Sequence, residues 1–261
     1  MSSPEVLVEK TGRTTVVTIN RPEARNALTK SVLERLSSAL DEAAQDANVR
    51  CVVLTGAGGH FCAGADLRRT IAEDPDFFDR LESYMDVFHG AIRAIVRCPK
   101  PVVAALDGAA VGFGADMALA CDLRVASTAA YIQEKFVNIG LMPDGGGTFW
   151  LPRLIGTARA LKAMLLSDKL EAKELDMLGI LAGCVPPEQL MTATMELARR
   201  LEKGPPLAYA ALKESVYASL GDLEAALRRE REGQLRLLRS QDVMEGVMAW
   251  TQKREPDFKG A

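Results

Sequence analysis

Residues 51–55 (CVVLT) and 101–106 (PVVAAL) constrain this chain more than any other feature of it. Each run is apolar at consecutive rather than alternating positions, and each stops at a bend: Gly56-Ala57-Gly58-Gly59 after the first, Asp107-Gly108 after the second. A strand that is apolar on both sides has to be covered on both faces, which in soluble proteins means a parallel sheet under helices. Residues 123–126 (LRVA) read as a third, weaker strand. Helical cover is legible as well. Residues 77–97 carry Phe77, Leu81, Tyr84, Met85, Phe88, Ile92 and Ile95 on one helical face, and residues 30–46 repeat Val32, Leu33, Leu36, Leu40 and Ala43 at the same period. Thr29 or Ser31 can cap the latter helix, with Ser31-x-x-Glu34 fitting a capping box. Upstream, residues 6–9 and 14–19 cluster β-branched side chains between turn signals and read as paired strands. The first two-thirds of the chain is therefore α/β.

Beyond about residue 158 the strand signal disappears, and residues 159–166, 186–201, 206–220 and 223–239 favour helix, punctuated by Gly204-Pro205-Pro206 and Gly221-Asp222. This predicts an α/β core over residues 1–200 that holds the site, and a helical region over 201–261. Amphipathic helices with little core of their own need a surface to pack on, so the tail is expected to oligomerise.

Several function classes are excluded early. A net charge of −3 with no basic run offers nothing to a phosphate backbone, so no nucleic acid is expected as a partner. The start, MSSPEVLVEK, has neither the basic nor the apolar region of a secretory signal, and no apolar stretch is long enough to span a bilayer; a cytoplasmic protein with no membrane partner is expected. Five scattered cysteines without CxxC spacing read as reduced core thiols. Two histidines rule out a His-rich zinc site, and no HExxH, GxSxG or Walker pattern occurs, so no metal site is expected.

Three segments remain that can carry chemistry. The first is a strand running into a small-residue loop, Ala63-Gly64-Ala65-Asp66-Leu67. The second, Asp107-Gly-Ala-Ala-Val-Gly-Phe-Gly-Ala-Asp116, runs through glycines into an apolar helix, whose free N-terminal N–H groups suit a developing oxyanion. The third is Gly140-Leu-Met-Pro-Asp144-Gly-Gly-Gly-Thr148; alone, Pro143-Asp144-Gly145 is ordinary turn chemistry.

Taken together, in this order and spacing, these segments closely resemble the crotonase superfamily, from Asn20-Arg-Pro-Glu-Ala-Arg-Asn-Ala-Leu28 to Lys253-Arg-Glu-Pro-Asp-Phe258. The resemblance implies a crotonase-like spiral of ββα units with a C-terminal helical trimerisation region, assembled as a homotrimer or a dimer of trimers. It implies an acyl-CoA thioester as substrate with no other cofactor, its carbonyl held as an enolate by the backbone N–H groups of Ala65 and Phe113. Where the family's typical hydratases carry two glutamates, this chain has Asp116 and Phe136, and Phe136 cannot transfer protons. Asp144 matches the acid of family members that shift double bonds, with Asp116 as a second candidate for proton transfer. The expected activity is thus enoyl-CoA isomerase or hydratase/isomerase. A hydratase using Asp116, a hydrolase or dehalogenase using His89 with Asp144, and a non-catalytic acyl-CoA binder are the alternatives. Ala24, Arg25, Ala63, Gly64, Asp66, Leu67, Gly112 and Phe136 are implied to line the substrate, and Lys253 and Phe258 to reach a neighbouring subunit's nucleotide. His60 reads as loop surface.

Overall fold

The computed structural model describes residues 3–257. Nine strands are found among them: β1 (Val6–Thr11), β2 (Thr14–Ile19), β3 (Cys51–Gly56), β4 (Val102–Leu106), β5 (Ala109–Val111), β6 (Leu123–Ser127), β7 (Tyr131–Gln133), β8 (Leu170–Glu171) and β9 (Gly183–Val185). A six-stranded sheet runs β1-β2-β3-β4-β6-β9, and a three-stranded sheet runs β5-β7-β8. The β1–β2 hairpin is antiparallel, and every later pairing in the large sheet is parallel.

The consecutive apolar positions behave as a two-face strand requires. Val52, Leu54, Val102 and Ala104 join the larger core, while Cys51, Val53, Val103 and Ala105 form a second core on the opposite face with Leu190 and Ala198. Period-two alternation thus feeds two separate cores from the same runs.

The helices follow in chain order: α1 (Lys30–Gln45), α2 (Leu67–Glu73), α3 (Leu81–Arg97), α4 (Phe113–Ala120), α5 (Gly147–Ile155), α6 (Thr157–Leu166), α7 (Ala172–Met177), α8 (Leu190–Glu202), α9 (Pro206–Ser219), α10 (Leu223–Leu237) and α11 (Gln241–Gln252). Thr29 caps α1, its hydroxyl accepting from the Val32 N–H; Ser31 is already helical. Residues 77–80 form a separate 3-10 turn ahead of α3 rather than its first turn. Two strands, β8 and β9, and two helices, α7 and α11, lie in the stretch where the sequence showed no strand and four helices. Both strands are two or three residues long, too short to carry a period.

The cysteines at 51, 62, 98 and 121 are buried and free, and Cys184 is free and half-buried. Among the described residues no helix is long and apolar enough to cross a membrane, and no cluster of three or more His, Cys, Asp or Glu is arranged to hold a metal ion.

Candidate active site

The first two glycine-bearing bends are sewn together by their backbones. Phe61 N–H donates to Asp107 O (2.7 Å), Cys62 N–H to Ala109 O (2.9 Å), and Val111 N–H to Cys62 O (2.9 Å). On its other side the first loop is tied to the segment before α1, through Leu28 N–H to Gly64 O (2.8 Å), Asp66 N–H to Leu28 O (2.8 Å) and Ala63 N–H to Arg25 O (3.0 Å). Between these bonds the Ala65 N–H has no acceptor among the described residues. The Phe113 N–H opens α4, where the first turn of a helix leaves its donors unpaired, and it too has none.

Gly64 shows how close the two bends lie. It holds φ +91°, and a Cβ built on it would stand 2.8 Å from Val111 O and 3.6 Å from Phe113 N. His60 is half-buried rather than loop surface, because its Nδ1 accepts from Ala109 N–H (3.3 Å) as part of the same junction.

The third segment is pressed onto α4. A Cβ on Gly145 would stand 2.6 Å from the Asp116 Cβ, which is why a side chain is missing there. Gly145 N–H donates to Asp116 Oδ2 (2.9 Å). Two side chains from α10 then fix the turn. Glu230 accepts from Gly146 N–H (2.7 Å), Thr148 N–H (3.1 Å) and the Thr148 hydroxyl, and Gln234 Nε2 donates to Asp144 Oδ2 (2.8 Å).

A cavity of about 1310 Å³ opens on this arrangement. Its walls include Ala24, Arg25, Ala63, Gly64, Ala65, Asp66 and Leu67 from the first loop and its neighbour, and Gly112, Phe113, Phe136 and Asp144 from the other two segments. The 3-10 turn and α3 supply an apolar end through Phe77, Leu81, Tyr84, Met85 and Phe88, whereas Arg25, Arg68, Lys135 and Arg254 contribute positive charge. One cavity thus offers two unpaired amides, a carboxyl, an apolar recess and cations suited to phosphate.

The sequence candidates do not all meet there. Asp116 is fully buried behind the Gly145 turn and is not part of the cavity wall. Lys253 is exposed and outside the wall, where its neighbour Arg254 stands instead. Phe258 lies outside the described residues. His89 is buried, and its Nε2 is 2.9 Å from the Asp144 carbonyl oxygen. A carbonyl can only accept, so Nε2 carries the proton. Burial and nearby Arg93 lower the His89 pKa and keep the ring neutral.

Four carboxyls crowd this region. Burial pushes Asp144 up to about 7 despite the Gln234 bond, and its Oδ1 has no hydrogen-bond partner. Glu134, just past β7, is pushed up to about 8 by burial and by the charges of Glu230 and Asp144. Asp116 is raised well above the usual range by burial and then by Glu134. No hydrogen-bond partner reaches Asp116 Oδ1 or either Glu134 oxygen, and both carboxyls are raised by burial first. Glu230, also raised by burial, is moderated by its bonds to Thr148 and Gly146. Glu134, Glu230 and Gln234 were not among the sequence candidates. Nothing local in their sequence neighbourhoods marks them.

Comparison with known proteins gives a consistent picture. Residues 9–261 match the family described as enoyl-CoA hydratase/isomerase. A "Probable enoyl-CoA hydratase" of Rhodobacter capsulatus is 40% identical over 94% of both chains, and the 1,2-epoxyphenylacetyl-CoA isomerase of Escherichia coli is 35% identical over 94% of both. The crystal structure of an enoyl-CoA hydratase from Mycobacterium avium subsp. paratuberculosis superposes with a TM-score of 0.89 at 34% identity, covering 99% of this chain and 100% of that one.

Proposed function

The chain belongs to the enoyl-CoA hydratase/isomerase family, and we propose that within it the protein is an enoyl-CoA isomerase that moves a double bond along an acyl thioester by proton transfer through Asp144. One observation carries this reading. A single cavity is lined by Asp144, whose buried Oδ1 has no hydrogen-bond partner, and by Ala65 and Phe113, whose N–H groups have no acceptor among the described residues, while Phe136 occupies the position where hydratases of the resembled type hold a second glutamate.

The chemistry follows from charge placement. A 3-enoyl thioester binds with its carbonyl oxygen between the N–H groups of Ala65 and Phe113. Asp144 Oδ1 takes a proton from C2, and the electrons left behind spread into the carbonyl and along C3–C4 as a dienolate. Each fixed donor aimed at that oxygen is worth about 3 kcal/mol of barrier. The same carboxyl returns the proton to C4, leaving the double bond between C2 and C3. A carboxyl with a pKa of about 7 suits both halves, because neither gaining nor losing the proton is steeply uphill at neutral pH. No step needs a metal or a further cofactor.

The CoA portion is read as lying along Ala24, Arg25, Ala63, Asp66 and Leu67, with Arg68, Lys135 and Arg254 available to its phosphates. A cytosolic homotrimer or dimer of trimers is part of the same reading. Leu161, Leu165 and Leu166 on α6 and Leu207 and Leu212 on α9 are exposed, in keeping with faces covered by other copies, and sedimentation would check it.

Hydration is the second reading, favoured by the hydratase names among the relatives and by Asp116 at the other glutamate position. It requires Asp116 to reach water in the cavity, from which the Gly145 turn separates it. The deciding experiment presents purified protein with 3-enoyl-CoA and 2-enoyl-CoA and follows thioester conjugation by ultraviolet absorbance. Rapid isomerisation that is lost in Asp144→Asn supports the proposal. Rapid water addition that survives Asp144→Asn overturns it.

A further inference from the structure

We propose that Gln234, on α10, is the positioning residue that orients Asp144, holding Oδ2 so that the buried Oδ1 is left without a partner as the oxygen that moves the proton. The inference rests on the reading of Asp144 as the acid/base. Its basis is a two-point clamp on a residue that is 2% exposed: Nε2 donates to Asp144 Oδ2 at 2.8 Å, and Oε1 accepts from Met142 N–H at 3.3 Å. The second bond settles the first. With its oxygen committed to a main-chain donor, the amide can present only N–H to the carboxyl, so it cannot turn over and accept from a protonated Oδ2.

The surroundings make this donor distinctive. The groups that face Asp144 are Glu230 from the same helix, Asp116 from α4, Glu134 from the chain after β7, and His89 from α3. Of the three acids, Glu230 disfavours its ionisation, while Asp116 and Glu134 are themselves raised by the Asp144 charge. The fourth donates to the Asp144 backbone carbonyl and leaves the carboxyl alone. Gln234 is therefore the side chain that stabilises the carboxylate form, and it does so on the oxygen pointing away from Oδ1.

Two consequences follow for the reaction. Proton uptake is directed to Oδ1, because a proton on Oδ2 would meet the Gln234 N–H. Removal from C2 and return to C4 then use one oxygen on one face of the acyl plane. The register of α10 also becomes part of the site: Glu230, one turn earlier, binds the N–H groups of Gly146 and Thr148, so a single helix sets both the turn and the carboxyl it carries.

The test compares Gln234→Met, of similar length without a donor, and Gln234→Glu, of the same shape with a second acid, against wild type and Asp144→Asn on 3-enoyl-CoA. For Gln234→Met the expected result is a kcat about fivefold lower at neutral pH, a KM within about twofold, and an acid limb of kcat/KM displaced upward by about one pH unit, which lowers the ionised fraction about fivefold at pH 7 and about tenfold well below it. Gln234→Glu displaces the same limb upward through like charge, and it carries the test if the Met variant does not fold. A merely structural role would lower the melting temperature without moving the limb. Both Gln234 variants keeping the wild-type limb and kcat, with Asp144→Asn inactive, would overturn the role of Gln234 and leave Asp144 standing. Activity surviving in Asp144→Asn would instead remove the reading beneath it.

Discussion

Replacing Gly64 with Ala strikes the amide pair without touching any carboxyl. At φ +91° an L side chain costs roughly 1–3 kcal/mol in strain. The new Cβ would also meet Val111 O at 2.8 Å, and that oxygen belongs to a backbone sewn to the first loop, not to a side chain that can swing aside. The 63–65 segment has to move, and the Ala65 N–H, next along the chain, loses its aim. Losing one donor costs about 3 kcal/mol of barrier, which at about 1.4 kcal/mol per decade lowers kcat by about 10²-fold. The strain appears separately, as a melting temperature lower by roughly 2–4 °C for each kcal/mol. Gly90→Ala serves as the control, since its Cβ meets open space within α3; it should raise the melting temperature slightly and leave kcat alone. Steady-state kinetics and thermal unfolding on both variants decide the matter. A folded Gly64→Ala enzyme with wild-type kcat would refute the reasoning.

Two pH experiments probe the acids. Asp144 works as a base only when ionised, so kcat/KM on 3-enoyl-CoA should fall as pH drops through about 7, rather than near the usual carboxylate range; a plateau continuing to pH 5 would contradict the assigned environment. Glu134 is raised from 4.5 to about 8, so the folded state binds a proton that the unfolded state releases, and stability is eroded as pH rises between those values. Glu134→Gln should therefore match wild type near pH 4.5 and be more stable at pH 8 to 9, by on the order of a few kcal/mol of unfolding free energy. A variant no more stable than wild type at pH 8 to 9 would contradict the assigned burial of this carboxyl.

How much of this the sequence disclosed depends on how local each signal is. The buried strands were legible because runs of consecutive apolar residues leave no polar face, and the loops because their glycines cluster after strand ends, although the contacts that require Gly64 and Gly145 come from other segments. Asp144 was picked out only through the family resemblance, since its turn alone reads as ordinary turn chemistry. The strands β5, β7, β8 and β9 were missed, each being only two or three residues long. Gln234 and Glu230 were invisible for another reason: their partners lie about 90 and 82 residues away, and a glutamine or glutamate on a helix rich in charge looks like solvent-facing surface. Asp116 was placed on the right helix, but α4 is buried on every side, and this closes off the cavity that a helix N-terminal acid was expected to face.

Removal of a proton by Asp144 beside a carbonyl held by two amides is a step that can be watched alone. A saturated acyl-CoA has C2 protons but no double bond to move, so proton exchange in heavy water, followed by nuclear magnetic resonance, reports the removal step without isomerisation or hydration. The wild-type protein should exchange C2 protons, and Asp144→Asn should bind the same thioester with similar affinity while exchanging at least 10²-fold more slowly, the lower range for a positioned general base. Undiminished exchange in Asp144→Asn, or none in the wild type despite tight binding, would contradict that role of Asp144.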